Sequence, residues 1–167
     1  KIGERPLESY SKDALINTIS FVFQDSKLFK TSIYENVALA NRKASREEVM
    51  KAMELAGCNV ILNKFPEREN TMIGSKGVYL SGGEKQRITI ARQLMFEPEV
   101  LLLDESTSAL DTHNKERVED IIFKMAEEGI AILWITHSDD QSMRHFQKRM
   151  TIIDGEIDKI EELNQHE

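Results

Sequence analysis

The stretch Leu80-Ser81-Gly82-Gly83-Glu84-Lys85-Gln86-Arg87 decides how the rest of the chain is interpreted. Ser81 and Glu84 have the spacing of a capping box, in which two side chains bond the free amides at the start of a helix. Apolar residues then recur at helical spacing, at Ile88, Ala91, Leu94 and Met95. Taken alone, the pattern favours an ordinary capped helix. It also suits an anion site, because Gly82 and Gly83 let backbone amides approach a ligand at the positive end of the helix dipole.

Two carboxylates follow the next apolar run. Glu97-Pro98-Glu99 is a turn, and Val100–Leu103 is uninterruptedly apolar. That run predicts a parallel strand covered on both faces. Asp104 and Glu105 come where this strand leaves the core. Such a pair is ordinarily a solvated turn, so the pair by itself does not decide between a turn and a catalytic site.

The remaining pattern predicts an α/β fold, a parallel sheet flanked by helices. Ile19–Phe23 and Ile130–Thr136 are further strand candidates. A helix that Asp111 or Thr112 caps, and that Gly129 ends, separates the last two strands. Strand, helix and strand within about 35 residues indicate a parallel crossover unit.

A helical insertion is expected between Lys27 and about Gly77. Ser32 with Glu35 and Ser45 with Glu48 are two more capping-box spacings, and Gly57 suits the end of the second helix. Near the other end of the chain, Asp154-Gly155 between two apolar runs predicts a β-hairpin.

Four motifs, in this order and at this spacing, resemble the ATP-binding subunit of ABC transporters. Leu80–Glu84 resembles its signature motif, Val100–Glu105 its Walker B strand, Ser108–Asp111 its D-loop and His137 its switch histidine. Gln24, after the first strand, matches the Q-loop glutamine. The resemblance implies a P-loop NTPase-like fold with an inserted helical subdomain.

The domain division follows from that resemblance. Residues 1–26 would be the end of an N-terminal subdomain with the Q-loop, 27–78 the helical subdomain, 79–160 the ATPase core and 161–167 a tail. Ser32–Val37 and Gly74–Gly77 resemble the exporter form of the family, although Ser75 stands where exporters usually carry Glu. Export is therefore favoured over import, and the transported substrate stays open.

The resemblance also implies roles in Mg²⁺-dependent ATP hydrolysis for four residues. Asp104 would hold Mg²⁺ through water, and Glu105 would be the general base toward the attacking water. His137 would contact the γ-phosphate, and Gln24 would reach both the metal and the water. Without the family context, a glutamine at a strand end and a lone histidine are ordinary solvated residues.

A second set of residues would bind ATP held by another subunit. It comprises the signature residues Ser81, Gly82, Gly83 and Glu84, while Asp111 would relay between the two sites of a dimer. The partners implied are a second ATP-binding subunit, with a homodimer favoured, and a transmembrane permease domain.

The phosphate-binding loop of this family is not found in the sequence. None of the eight glycines lies in a G-x-x-x-x-G-K-[ST] pattern, which in P-loop enzymes supplies much of the nucleotide affinity. We therefore expect an N-terminally incomplete domain whose sheet has an unpaired edge, and which is inactive on its own.

Composition limits the remaining alternatives. The formal net charge of -7 disfavours nonspecific nucleic-acid binding, and Cys58 is the sole cysteine, which fits a reducing cytosol. The longest apolar run, Ile130–Ile135, is too short to span a bilayer. A cytoplasmic protein held on the inner face of the membrane by its partner is expected. Two alternatives stay open: a non-catalytic partner-binding module, and an ABC-type ATPase of DNA repair or translation.

Overall fold

The computed structural model describes residues 4–23, 27–74, 77–108, 110–136 and 146–163. The chain divides into two units, Lys1–Thr136 and His137–Glu167. The first unit holds the elements α1 (Lys12–Thr18), β1 (Ile19–Phe23), α2 (Ile33–Ala38), α3 (Arg46–Leu55), α4 (Asn59–Leu62), α5 (Gly82–Leu94), β2 (Val100–Asp104), α6 (Thr112–Glu127) and β3 (Ala131–Ile135). None of the described helices has the length and apolar character needed to cross a membrane.

The three strands of the first unit form one parallel sheet in the order β1-β2-β3. Phe23, Asp104 and Ile135 are aligned across it, so all three strands end at the same level. The predicted parallel α/β fold is confirmed, and α6 connects the adjacent strands β2 and β3.

One face of this sheet is not covered by the described residues. Leu101 and Leu103 are fully buried, whereas the alternate positions carry exposed apolar side chains, namely Phe21, Phe23, Leu133 and Ile135. Within β2 itself Val100 and Leu102 are half-buried, so the predicted covering of this strand on both faces is met only in part by the described residues. An apolar run fits a pleated strand with one or two buried faces, so the sequence does not separate these cases.

Helix α5 lies at the centre of the first unit. It packs against α2, α3, α6 and β1, and its buried apolar residues Ile88, Ile90 and Ala91 join the hydrophobic core. The helix is therefore in contact with other elements of the first unit on several sides.

The helix ends follow the predicted capping chemistry with one exception. Ser45 and Ser81 form complete capping boxes, and Asp111, not Thr112, caps α6. Ser32 accepts a bond from the Glu35 amide, but the reciprocal bond is not formed among the described residues, so only half of that box is present. The predicted stops at Gly57 and Gly129 are confirmed, since both have positive φ, 64° and 102°, that suits glycine.

Asn36 and Arg92 join α2, α5 and the segment that follows β1. The Asn36 amide group donates to the carbonyls of Phe29 and Ser32 at 3.0 and 2.9 Å, and its oxygen accepts from the Phe29 amide and from Arg92 Nη2, both at 2.8 Å. The Arg92 guanidinium also donates to the carbonyls of Asn36 and Lys27. Asn36 is fully buried, so these bonds have no water to replace them.

Replacing Asn36 with alanine is therefore expected to lower the free energy of unfolding by about 2–4 kcal/mol, because several buried groups lose their partners at once. Urea unfolding of the 167-residue chain followed by circular dichroism measures this. Asn41→Ala is the matched control, because Asn41 is exposed and accepts one bond, from the Lys43 amide. Equal losses in the two variants would contradict the role given to Asn36.

The second unit contributes an antiparallel hairpin of β4 (Lys148–Ile153) and β5 (Glu156–Glu162). Asp154 and Gly155 both have positive φ, 51° and 83°, as the predicted two-residue turn requires. Strand β5 continues to Glu162, two residues into the segment interpreted as a tail.

Candidate functional site

In the first turn of α5 the capping box bonds two backbone amides and leaves the amides between them available to a ligand. The Ser81 hydroxyl accepts a bond from the Glu84 amide at 3.3 Å, and Glu84 Oε2 accepts from the Ser81 amide at 2.7 Å. The next two amides, of Gly82 and Gly83, have no intrahelical acceptor by helix geometry. Ser81 and Gly82 are exposed, so this end of the helix fits an anion such as a phosphate.

The Glu84 carboxylate is buried and paired at the same place. It is 6% exposed, and Lys64 Nζ donates to its Oε1 at 2.6 Å. Burial raises the pKa of the Glu84 carboxyl, but the bonds from Lys64 and Ser81 outweigh burial and hold the pKa below its usual range. Glu84 is therefore an ionised carboxylate whose two oxygens are both occupied by partners within the chain.

Asp111 lies at the start of α6, beside this turn. Its carboxylate accepts from the Asn114 amide at 3.1 Å and from Asn114 Nδ2 at 2.6 Å, and these bonds lower the pKa of the Asp111 carboxyl. A Cβ at Gly83 would lie 2.8 Å from Asn114 Cβ, and one at Gly82 would lie 3.1 Å from Leu110 Cδ2. The glycines therefore let the start of α6 approach the start of α5. The predicted residues Ser81–Glu84 and Asp111 are brought together.

Asp104 and Glu105 mark the end of β2. Asp104 is the last residue of the strand and is half-buried, as is Glu105. Glu105 adopts a φ of 44°, its amide donates to the Ile135 carbonyl at 3.0 Å, and its carbonyl accepts from the Ser108 amide and hydroxyl at 3.0 and 2.9 Å. A left-handed φ costs a non-glycine residue about 1 kcal/mol and is enriched at functional sites.

The strand end carries a candidate ligand for Mg²⁺. This ion is commonly held by one or two carboxylates together with substrate phosphates and water, and the Asp104 carboxylate is compatible with that chemistry. Within the described ranges, no group of three or more His, Cys, Asp or Glu side chains is placed to hold a metal ion.

Gln24 and His137 lie outside the described residues, so their predicted roles stay predictions. The described residues next to them are Phe23, which is aligned with Asp104, and Thr136, which follows Ile135. Lys64 and Asn114 were missed by the sequence analysis. The Asp-x-x-Asn spacing gave a local signal for Asn114, whereas nothing near Lys64 indicates a contact 20 residues along the chain.

The family model described as "ABC transporter" matches residues 1–108, well over half of the chain. The chain belongs to the ABC transporter family. The resemblance drawn from the motifs is thereby confirmed, and the parallel sheet flanked by helices agrees with it.

Several curated relatives are similar to this chain. The mitochondrial potassium channel ATP-binding subunit of Xenopus tropicalis is 44% identical over 71% of this chain and 17% of that protein. The beta-(1-->2)glucan export ATP-binding/permease protein of Bartonella quintana is 40% identical over 70% of this chain and 20% of that protein. ABC transporter B family member 13 of Arabidopsis thaliana is 39% identical over 79% of this chain and 11% of that protein. The chain spans a fifth or less of each of these three.

Proposed function

We propose that this chain forms part of an ATP-binding and ATP-hydrolysing subunit that energises an ABC transporter through a membrane permease domain. The observation that carries the proposal is the open first turn of α5. There the Glu84 carboxylate accepts bonds from Lys64 and from the Ser81 amide, and the Asp111 carboxylate accepts a bond from the Asn114 amide. Ser81 and Gly82 are exposed, and the Gly82 amide suits an anion.

In the proposed mechanism the end of β2 performs the chemistry. Asp104 would hold Mg²⁺, and the ion would supply positive charge to the phosphates during transfer. Glu105 accepts a proton from the attacking water, and its fixed backbone holds the side chain at the strand end. Gln24 would orient the water and reach the metal, and His137 would contact the γ-phosphate.

The first turn of α5 acts on ATP held by a second subunit. Ser81 and the amides of Gly82 and Gly83 donate to its γ-phosphate, as the dipole of a helix start favours. Asp111 lies between the two sites of the dimer, and Glu84 fixes Ser81 through the capping box.

A transmembrane partner and a cytoplasmic position on the inner face of the membrane belong to this proposal. Two relatives, from Bartonella quintana and from the related Bartonella henselae, are described as export ATP-binding/permease proteins. Export is favoured for this chain as well. A nucleic-acid partner is not proposed, because a net charge of -7 opposes binding to a phosphate backbone.

The test compares the 167-residue chain with the full-length product of its gene. We expect isothermal titration with Mg-ATP to give no micromolar binding to the chain alone, because its sequence has no phosphate-binding loop motif. The full-length protein is expected to bind and hydrolyse Mg-ATP. A full-length protein that binds no nucleotide would reject the proposed function and favour a docking module. Micromolar binding with turnover by the chain alone would overturn the importance given to the loop.

A further inference from the structure

Two buried glutamates in the first unit each pair with an exposed basic residue, and only one of them lies at the first turn of α5. Glu84 pairs with Lys64, whose side chain is 54% exposed. Glu69 pairs with Arg46, whose side chain is 69% exposed, and neither residue belongs to α5. The two glutamates share a cation contact but differ in place, and Glu69 also has Arg68 Nε at 4.0 Å from its Oε2.

The negative charge of Glu84 lies where it would repel an anion bound at the first turn of α5. Its carboxylate lies in the same helical turn as the amides of Gly82 and Gly83, and it is ionised and buried. A negative charge with little solvent around it repels a phosphate that approaches those amides. The capping bond to the Ser81 amide uses one carboxylate oxygen but does not cancel the charge.

Lys64 supplies the cancelling charge. It follows α4, in the segment predicted to be the helical subdomain, and its Nζ bonds the second carboxylate oxygen at 2.6 Å. Arg87 lies one turn after Gly83 on the same helix and is also near Glu84. Its Nε, however, donates to the Gly83 carbonyl at 3.3 Å. Lys64 is therefore the cation that bonds the carboxylate directly.

We propose that Lys64 is a positioning residue of the nucleotide site, which neutralises Glu84 so that the first turn of α5 accepts the γ-phosphate of ATP. This inference rests on the proposed function. Through this one ion pair, the segment after α4 controls how tightly the start of α5 binds a phosphate.

The experiment uses the full-length protein carrying Glu105→Gln, which is expected to bind ATP without turning it over. Retention of radiolabelled Mg-ATP after a chase with unlabelled ATP is measured against ATP concentration and salt. We expect Lys64→Met to raise the half-saturating ATP concentration on the order of tenfold, because it removes the cation that bonds the buried Glu84 carboxylate. Arg46→Met, which removes one of the two cations at the buried Glu69, is the control and is expected to leave retention unchanged.

Rescue separates charge neutralisation from a merely structural contact. Glutamine at position 84 keeps the capping box, since Glu and Gln both serve at that position, and it removes the charge. The double variant Lys64→Met, Glu84→Gln is therefore expected to regain the parental half-saturating concentration within about threefold. It should also lose the steeper salt dependence of Lys64→Met.

The outcomes are distinct. If the Glu105→Gln parent retains no ATP, the proposed function fails and this inference fails with it. If the parent retains ATP but Lys64→Met equals the parent, or if Glu84→Gln does not rescue it, Lys64 is a structural contact and the inference alone is overturned. A loss in Arg46→Met equal to that in Lys64→Met overturns it as well.

Discussion

Replacement of Glu105 by glutamine in the full-length protein is expected to lower ATP turnover by roughly 10²- to 10⁴-fold, because the substitution keeps the size of the side chain and removes the proton acceptor. ATP binding is expected to persist, since the substitution leaves Asp104 and the first turn of α5 intact. Steady-state phosphate release measures turnover, and equilibrium binding of labelled ATP measures affinity.

The chain offers a matched control for this substitution. Glu97, at the turn after α5, is exposed and has a φ of 50°, close to the 44° of Glu105. Glu97→Gln therefore tests whether glutamine is tolerated at a glutamate position whose backbone is in the left-handed region. We expect this variant to leave turnover unchanged. Parental turnover by Glu105→Gln would exclude Glu105 as the base. An equal loss in both variants would point to backbone strain as the cause.

Local signals in the sequence predicted the elements that carry the site. The Ser81 capping box and the helix that follows it are present, as are the strand before Asp104 and the cap at Asp111. Each of these depends on residues within one or two turns or within a single strand, so spacing alone is informative. The family resemblance then gave roles to residues that spacing leaves ordinary.

Contacts between distant segments were not predictable from spacing. The Lys64–Glu84 pair and the Asn36–Arg92 bonds each join residues at least 20 positions apart, and an exposed lysine or an asparagine in a helix has no distinctive pattern. How far the second face of the sheet is covered was not predictable for a related reason. Whether an apolar strand is buried on one face or on two depends on the neighbouring elements, which the strand sequence does not specify.

Replacement of Ser81 by arginine is expected to lower turnover roughly 100-fold or more, because a long cationic side chain occupies the place where the first turn of α5 meets a phosphate. Ser81 is exposed, so the substitution creates no clash inside the chain. ATP binding that does not depend on the first turn of α5 is expected to persist. The full-length Glu105→Gln protein is therefore expected to associate on addition of Mg-ATP in size-exclusion chromatography. The double variant Ser81→Arg, Glu105→Gln is expected not to, and its association would contradict the role of Ser81.

Mixing the two inactive variants decides whether Ser81 acts on its own subunit's ATP or on the partner's. In a two-fold dimer with sites across the interface, a Ser81→Arg subunit paired with a Glu105→Gln subunit has one site with both changes and one with neither. Co-expression in equal amounts makes half of the dimers mixed, so about a quarter of the parental turnover is expected to return. If Ser81 served its own subunit, every site would carry one change and no turnover would return.

Co-expression of Ser81→Arg with Asp104→Asn repeats the test with a second variant of the β2 end, and it is expected to restore turnover in the same way. Failure of both pairs to recover, in dimers shown to be mixed, would contradict the assignment across the interface.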